Sequence, residues 1–506
     1  MQARYLPVAS SIICLLLCCA SPVTLRDELP PFGIRVGVLG DTQYTTRHET
    51  FQHTGFRNSG SDRFVDVSLR PPALEKLSRS LLRKLLDDLA ESRVDVILYL
   101  GDAANSGCKE ELDGAFQTLR EARAQHGIPI YFAIGNHDYL GTGNQTLRRA
   151  KLELCGDVHR ASVPENAALD KAEVIKIMHD FNMESAKLDK LFTYEWGPEG
   201  ALASYTRAPS CDNSHYLRYY VGALKAQSRS GAHIRVLLAD TSDYNNVWFR
   251  PTLKWADKCE ILGGWGLKGS MSSDQIWDLR GLGKPDVKKD TAWEEVADYN
   301  IVASHYDPLA FNIWWKWEYS PSFVKDNLGF LLTTGENLWL AAHRHSEAPR
   351  TFRVPVGGLT KLSGPQGTFH GFGVGSTTDF LPHAAIVEEK TWINSGISPR
   401  VGYRTIRAPA IGETCSQELY DHIERTRTKL RPVKCSDSAP PNANIDDMLG
   451  LTRIYEQPEC WDRTAYETIS TNIETVLREL NERDRREAEI CLALLASYNE
   501  KRIKID

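Results

Sequence analysis

The 506-residue sequence lacks a basic block or stripe. Its Lys and Arg are spread along a chain of net charge −6, so no nucleic-acid partner is indicated. It has no internal repeat, which excludes a solenoid or other repeat array. Past the N-terminal segment it has no apolar run long enough to cross a bilayer, so no later membrane span is expected. It also lacks the close cysteine pairs of a zinc ribbon: Cys108, Cys155, Cys211 and Cys259 are widely scattered.

Hydrophobic residues make up 42% of the chain, enough for a substantial core, and the length exceeds the roughly 100–200 residues of one domain. Arg4 precedes an uncharged stretch, Tyr5 to Leu25, whose apolar centre is Ile12–Cys19. That centre is short for a span, Pro7 and Pro22 flank it, and Cys18 and Ala20 suit a small-residue cleavage site. Residues 1–20 therefore read as a cleaved signal peptide and the protein as secreted or periplasmic; an uncleaved anchor or a lipidated cysteine is the alternative. Removing Cys14, Cys18 and Cys19 leaves an even eight of the eleven cysteines, which suits disulfides in an exported chain. Cys415, Cys435, Cys460 and Cys491 are expected to pair among themselves.

Apolar runs at Ile34–Leu39, Val94–Leu100 and Ile128–Ile134 read as buried strands. Between them, Leu74–Ala90 and Glu111–Gln125 have helical spacing. This alternation predicts an α/β fold. Further strands are expected at Ile234–Ala239, Ile301–Ser304, Leu338–Ala342 and Ala384–Glu388. Residues 141–232 and about 245–300 read as insertions in a domain spanning 32–395, and 396–506 as a mainly helical, cysteine-containing appendage. Nine of the twelve tryptophans fall between Trp248 and Trp339. Trp314, Trp315, Trp317 and Tyr319 either line a substrate cleft or pack a lid. "STTDFLPHA" at 376–384 either shapes a site rim or turns into the following strand.

Polar residues follow these strands one after another. Asp41 and Gln43 follow the first, Asp102 the second, and Asn136, His137 and Asp138 the third. His305 follows the strand at 301–304, and His343 and His345 the one at 338–342. Ligand sites in α/β sheets lie at such carboxyl ends. An Asp at a strand end is more often a cap or turn than a ligand, so each piece is weak alone. Asp240 reads as structural, and His48, His53, His126, His159, His179 and His215 as surface groups.

In this order, Asp-x-Gln, Gly-Asp, Gly-Asn-His-Asp, Ser-His and Ala-His-x-His resemble the motifs of the calcineurin-like metallophosphoesterase family. The resemblance covers roughly 34–386. It implies a two-sheet β-sandwich flanked by helices, holding two divalent or trivalent ions (Mn, Fe or Zn). It implies hydrolysis of phosphate mono- or diesters by attack of a metal-bound hydroxide, on a nucleotide, phospholipid head group or other small ester. Residue by residue, it makes Asp102 the bridging carboxylate. Asp41 and His345 would hold one metal, and Asn136, His305 and His343 the other. His137 would contact the phosphate and protonate the leaving oxygen, with Asp138 orienting its imidazole.

Two positions depart from the family pattern. Gln43 stands where the family has His. Its amide oxygen either binds metal directly or holds a metal-bound water, giving a more oxygen-rich site; otherwise it faces away and that site is degraded. Ala342 replaces a Gly and adds a Cβ to a crowded turn. The opposing expectation, kept open by Gln43, is a non-catalytic binding protein with an impaired first metal site.

Overall fold

The computed structural model describes residues 33–44, 65–69, 73–105, 107–139, 169, 171–202, 218–228, 231–243, 269, 271–282, 297–308, 328–333, 335–344, 348–355, 366–376, 383–390, 400–407, 415–433, 445–451, 463–498 and 501–505. The leader, the Trp314–Tyr319 cluster, His345, Cys435 and Cys460 lie outside them.

The chain opens with β1 (Arg35–Leu39), β2 (Val65–Leu69), α1 (Ala73–Glu91), β3 (Val96–Tyr99), α2 (Lys109–His126), β4 (Ile130–Phe132) and α3 (Lys171–Leu188). There follow β5 (Thr193–Gly197), β6 (Val221–Gln227), β7 (His233–Ala239), α4 (Ser273–Leu282), β8 (Tyr299–Ser304), β9 (Glu336–Ala341), β10 (Ala348–Pro355), β11 (Gln366–Gly373), β12 (His383–Lys390) and β13 (Arg400–Arg407). The chain continues through α5 (Gln417–Thr426), α6 (Ile445–Leu449), α7 (Arg463–Arg478) and α8 (Glu482–Tyr498) to β14 (Lys501–Ile505).

Two mixed sheets form the body. One has five strands in the order β13-β12-β1-β3-β4; the other has seven in the order β10-β11-β9-β8-β7-β6-β5. Strand alternation decides which side chains meet where. Val36 and Val38 of β1 face Ile301 and Ala303 of β8 and Leu338 and Leu340 of β9 in the layer between the sheets. The intervening residues face outward. Leu39 joins α1, α2 and α3, and Val302 and Trp339 join α4. The expected α/β sandwich flanked by helices is therefore present. Gly37 lets α1 approach: a Cβ there would lie 3.2 Å from Leu89 Cδ2.

Helix α1 is buried on two sides. Leu82, Leu85, Leu86 and Leu89 pack on the first sheet. Leu74, Leu77 and Leu81 pack with Leu419, Ile469, Ile473, Val476 and Leu494 of the C-terminal helices. Each buried leucine stabilises the fold by about 1.5–3 kcal/mol. A disulfide joins Cys415 to Cys491 across the C-terminal layer. Cys108, at the N-terminus of α2, is also disulfide-bonded.

Two expected boundaries are corrected. Residues 141–232 are not wholly an insertion. Helix α3 covers β4, where Asn182 Nδ2 donates to the Phe132 carbonyl at 3.0 Å, and β5 and β6 extend the seven-stranded sheet by antiparallel pairing. The break at 395/396 is misplaced as well, because β13 pairs with β12 along its whole length, Arg407 opposite His383 to Arg400 opposite Lys390. The sandwich runs through Arg407, and the helical layer starts at Cys415. None of the helices among the described residues is long and apolar enough to cross a membrane.

Candidate metal centre

The predicted ligands leave both sheets at the same end. Asp41, Asp102 and Asn136 follow β1, β3 and β4 of the five-stranded sheet; His305 and His343 follow β8 and β9 of the seven-stranded one. The backbone stays paired past the strand ends: the Asp41 N–H donates to the Gly101 carbonyl at 3.0 Å and the Gln43 N–H to the Asp102 carbonyl at 2.8 Å. Two glycines allow the crossing. A Cβ on Gly101 (φ 86°) would sit 2.5 Å from the Gly135 nitrogen, and one on Gly135 would sit 2.2 Å from Asp102 Oδ1.

Among the described non-glycine residues, five have positive φ, and four of those belong to this site: Asp41 (51°), Gln43 (44°), Asp102 (55°) and His343 (63°). A left-handed non-glycine residue costs on the order of 1–3 kcal/mol and persists only where its surroundings over-determine it. Here the surroundings are specific. The His343 N–H donates to Asp41 Oδ2 at 2.8 Å, the His137 N–H donates to Asp102 Oδ1 at 2.7 Å, and the Ser376 hydroxyl donates to the Asp41 carbonyl at 2.7 Å.

At the centre lies His305, fully buried. Its Nδ1 donates to the Leu100 carbonyl at 2.9 Å, so a neutral ring keeps its lone pair on Nε2. That nitrogen is 2.7 Å from Asn136 Oδ1, 3.1 Å from Asp102 Oδ2 and 3.2 Å from His343 Nδ1. Ligand atoms of Asp102, His305 and His343 all lie within 4.8 Å of one another. A carboxylate oxygen, an amide oxygen and two imidazole nitrogens thus converge in a water-poor space. Gathering so many lone pairs is unfavourable unless a positive charge sits among them. The donor set suits divalent metals of the Mn, Fe and Zn kind. The electrostatics agree. Burial alone would lower His305, but the charges of Asp102 and Asp41 and the Leu100 carbonyl outweigh it and push the imidazole up to about 9. Burial would raise Asp102, yet the charges and hydrogen bonds of His305 and His137 hold it well below the usual carboxylate range.

Gln43 is buried, and its Nε2 donates to Asp102 Oδ2 at 3.5 Å. The extra Cβ of Ala342 is accommodated because its neighbour is Gly40, where a Cβ would come within 3.1 Å of it.

Asp138 is corrected. It does not orient the His137 ring. Its carboxylate accepts the backbone N–H groups of Asp102 at 3.0 Å, Ala103 at 2.7 Å, Ala104 at 3.1 Å and Gly135 at 2.7 Å. It clamps the two turns that carry Asp102 and Asn136. Burial and then the Asp102 charge push this carboxyl upward, against the N–H groups of Gly135 and Ala104. The partner that orients His137 is the Asn105 carbonyl, 2.6 Å from Nδ1. A backbone carbonyl leaves no signature in a sequence, so nothing pointed to Asn105. Ser376 begins the "STTDFLPHA" stretch and was reachable from it.

The other histidines divide. His126 Nε2 lies 2.6 Å from Asp87 Oδ1 at the domain surface. His179 is not a surface group: it is half-buried, with its ring 4.5 Å from that of Trp196 and Nδ1 2.8 Å from the Tyr220 hydroxyl. His48, His53, His159 and His215 lie outside the described residues. Asp240 forms a fully buried ion pair with Lys171 at 2.8 Å.

Residues 34–209 match the model of the calcineurin-like phosphoesterase family. No curated protein matches the chain. Among solved structures, a dimetal phosphatase from Danio rerio is 13% identical, with 74% of this chain and 99% of that one covered at a TM-score of 0.35. A sulfate thiohydrolase from Thermus thermophilus, in complex with glycerol, is 12% identical, with 76% and 58% covered at a TM-score of 0.27. The family match takes in Asp41, Gln43, Asp102, Asn136, His137 and Asp138, and the fold brings His305 and His343, which lie beyond it, to the same point. The similarity to the calcineurin-like phosphoesterase family extends over residues 34–209.

Proposed function

We propose that the protein is an exported phosphoesterase that works with two metal ions. The observation that carries this reading is the packing of Asp102, Asn136, His305 and His343 around one buried point. Asn136, His305 and His343 would hold one ion and Asp41, Gln43 and His345 the other, with Asp102 serving both. Two such ions supply charge neutralisation on a phosphoryl group and a nucleophile at neutral pH.

The chain's own groups do the rest. Asp138 holds the turns that present Asp102 and Asn136. The Leu100 carbonyl keeps the proton of His305 on Nδ1, so Nε2 faces the ligand cluster. The Asn105 carbonyl accepts the Nδ1 proton of His137, so Nε2 faces the site, and in the imidazolium form it is the Nε2 proton that passes to the leaving oxygen, leaving the ring neutral. The substrate is a phosphate mono- or diester small enough to reach the strand ends, such as a nucleotide or phospholipid head group. Residues 33–407 form the catalytic body, and 415–498 a helical layer laid against it.

Turnover of a generic aryl phosphate tests the reading. Asp102→Asn and His343→Ala should each abolish it, and retained activity in either variant would contradict that residue's role. N-terminal sequencing of the exported protein tests the leader; a mature chain still carrying residues 1–20 would contradict cleavage.

A further inference from the structure

We infer that Tyr306 is a positioning residue whose ring sets the orientation of His343 as a metal ligand; this rests on the metal-centre reading above. His343 lies beyond the end of β9 at φ 63°, so no regular element fixes the direction of its side chain. The Tyr306 ring lies against it, with centroids 4.0 Å apart and planes inclined by 45°. Tyr306 also meets the His305 ring edge-on at 5.0 Å, and the two histidines meet at 5.1 Å. Three rings therefore pack as a unit, two of them proposed ligands.

The backbone that carries the middle ring is itself held. Tyr306 is fully buried. Its N–H donates to Thr241 Oγ1 at 2.9 Å. Its carbonyl accepts from the Ser304 hydroxyl at 2.8 Å, and Ser304 Oγ accepts from Trp339 Nε1 at 2.9 Å. Trp339 lies on β9, which leads into His343, and Ser304 ends β8, which leads into His305. The chain of contacts thus ties together the ends of the two strands that deliver the two imidazoles. A ring so fixed restricts His343 before any ion arrives. Groups of this kind behind a metal ligand typically carry about 10–100-fold in metal affinity.

The test is Mn²⁺ affinity of the full-length protein, measured by chelator competition, beside the melting temperature of the metal-free form. Tyr306→Leu removes the ring and should weaken Mn²⁺ binding by about 10–100-fold. Tyr306→Phe keeps the ring and should restore binding. Thr241→Val loosens the ring's anchor without touching it and should weaken binding in the same direction by less. In a His343→Ala background the Tyr306→Leu effect should disappear, because the two act through one ligand. A lower metal-free melting temperature with unchanged Mn²⁺ affinity in both Tyr306→Leu and Thr241→Val would overturn the proposal. If the folded wild-type protein binds no Mn²⁺ at all, the metal-centre reading fails first, and the two failures are told apart by that measurement.

Discussion

The sandwich and the C-terminal helical layer share helix α1, yet they are built on different terms. The sandwich gathers most of its strained backbone at one end: Asp41, Gln43, Asp102 and His343 have positive φ there, and His305 is buried among acceptors. In the helical layer no described non-glycine residue has positive φ. Its buried groups are an apolar seam and a few well-paired polar side chains. Asn472 is one: Nδ2 donates to the Arg431 and Met448 carbonyls, both at 2.8 Å, and Oδ1 accepts the Arg431 N–H at 2.9 Å. Conformational cost has accumulated where the proposed chemistry lies, and the helical layer is ordinary packing. Changes at the sandwich end should therefore cost function before stability, and changes in the helical layer the reverse.

The sharpest contrast is expected at His137. His137→Ala should lower kcat for an aryl phosphate by about 10²–10⁴-fold, while the melting temperature stays near that of the wild type. A parallel loss of stability would blur the distinction.

Next in size is Ile473→Ala. Ile473 is buried among α1 and the C-terminal helices, and a cavity there should cost about 2–5 kcal/mol in denaturant unfolding. Mn²⁺ affinity of the folded protein should not change; if it fell, the two regions would be coupled more tightly than their shared helix implies. Replacing Cys415 and Cys491 by Ala opens a link between residues 76 apart. It should cost about 2–4 kcal/mol, by freeing the unfolded chain. The smallest effect is expected for Asn472→Ala, about 1–3 kcal/mol, because it strands two carbonyls and an N–H.

The sequence made the strand ends legible because each apolar run stops at an acid, amide or imidazole. Asp41, Asp102, Asn136, His305 and His343 were all readable in that way, and the structure brings them together. The first sheet was readable for the same reason, since Ile34–Leu39 and Val94–Leu100 are nearly continuous apolar runs. What was not legible depended on partners remote in sequence or on the backbone. β5 reads "TYEWG" and β13 reads "RVGYRTIR". Both are edge or near-edge strands with polar residues along them, so their periodicity does not announce a core, and one was folded into an insertion and the other into the tail. Asp138 was assigned to the neighbouring imidazole through the family resemblance. Its real partners are four amides brought within reach by the bends at Gly101 and Gly135. Tyr306 sits beside His305 in the sequence, but its contact with His343 spans two strands.

Metal content of the purified full-length protein tests the central claim most directly. The account predicts two equivalents of metal per chain in the wild type, and loss of metal in Asp102→Asn because one carboxylate serves both ions. One equivalent or none in the wild type, or two retained in Asp102→Asn, would contradict it.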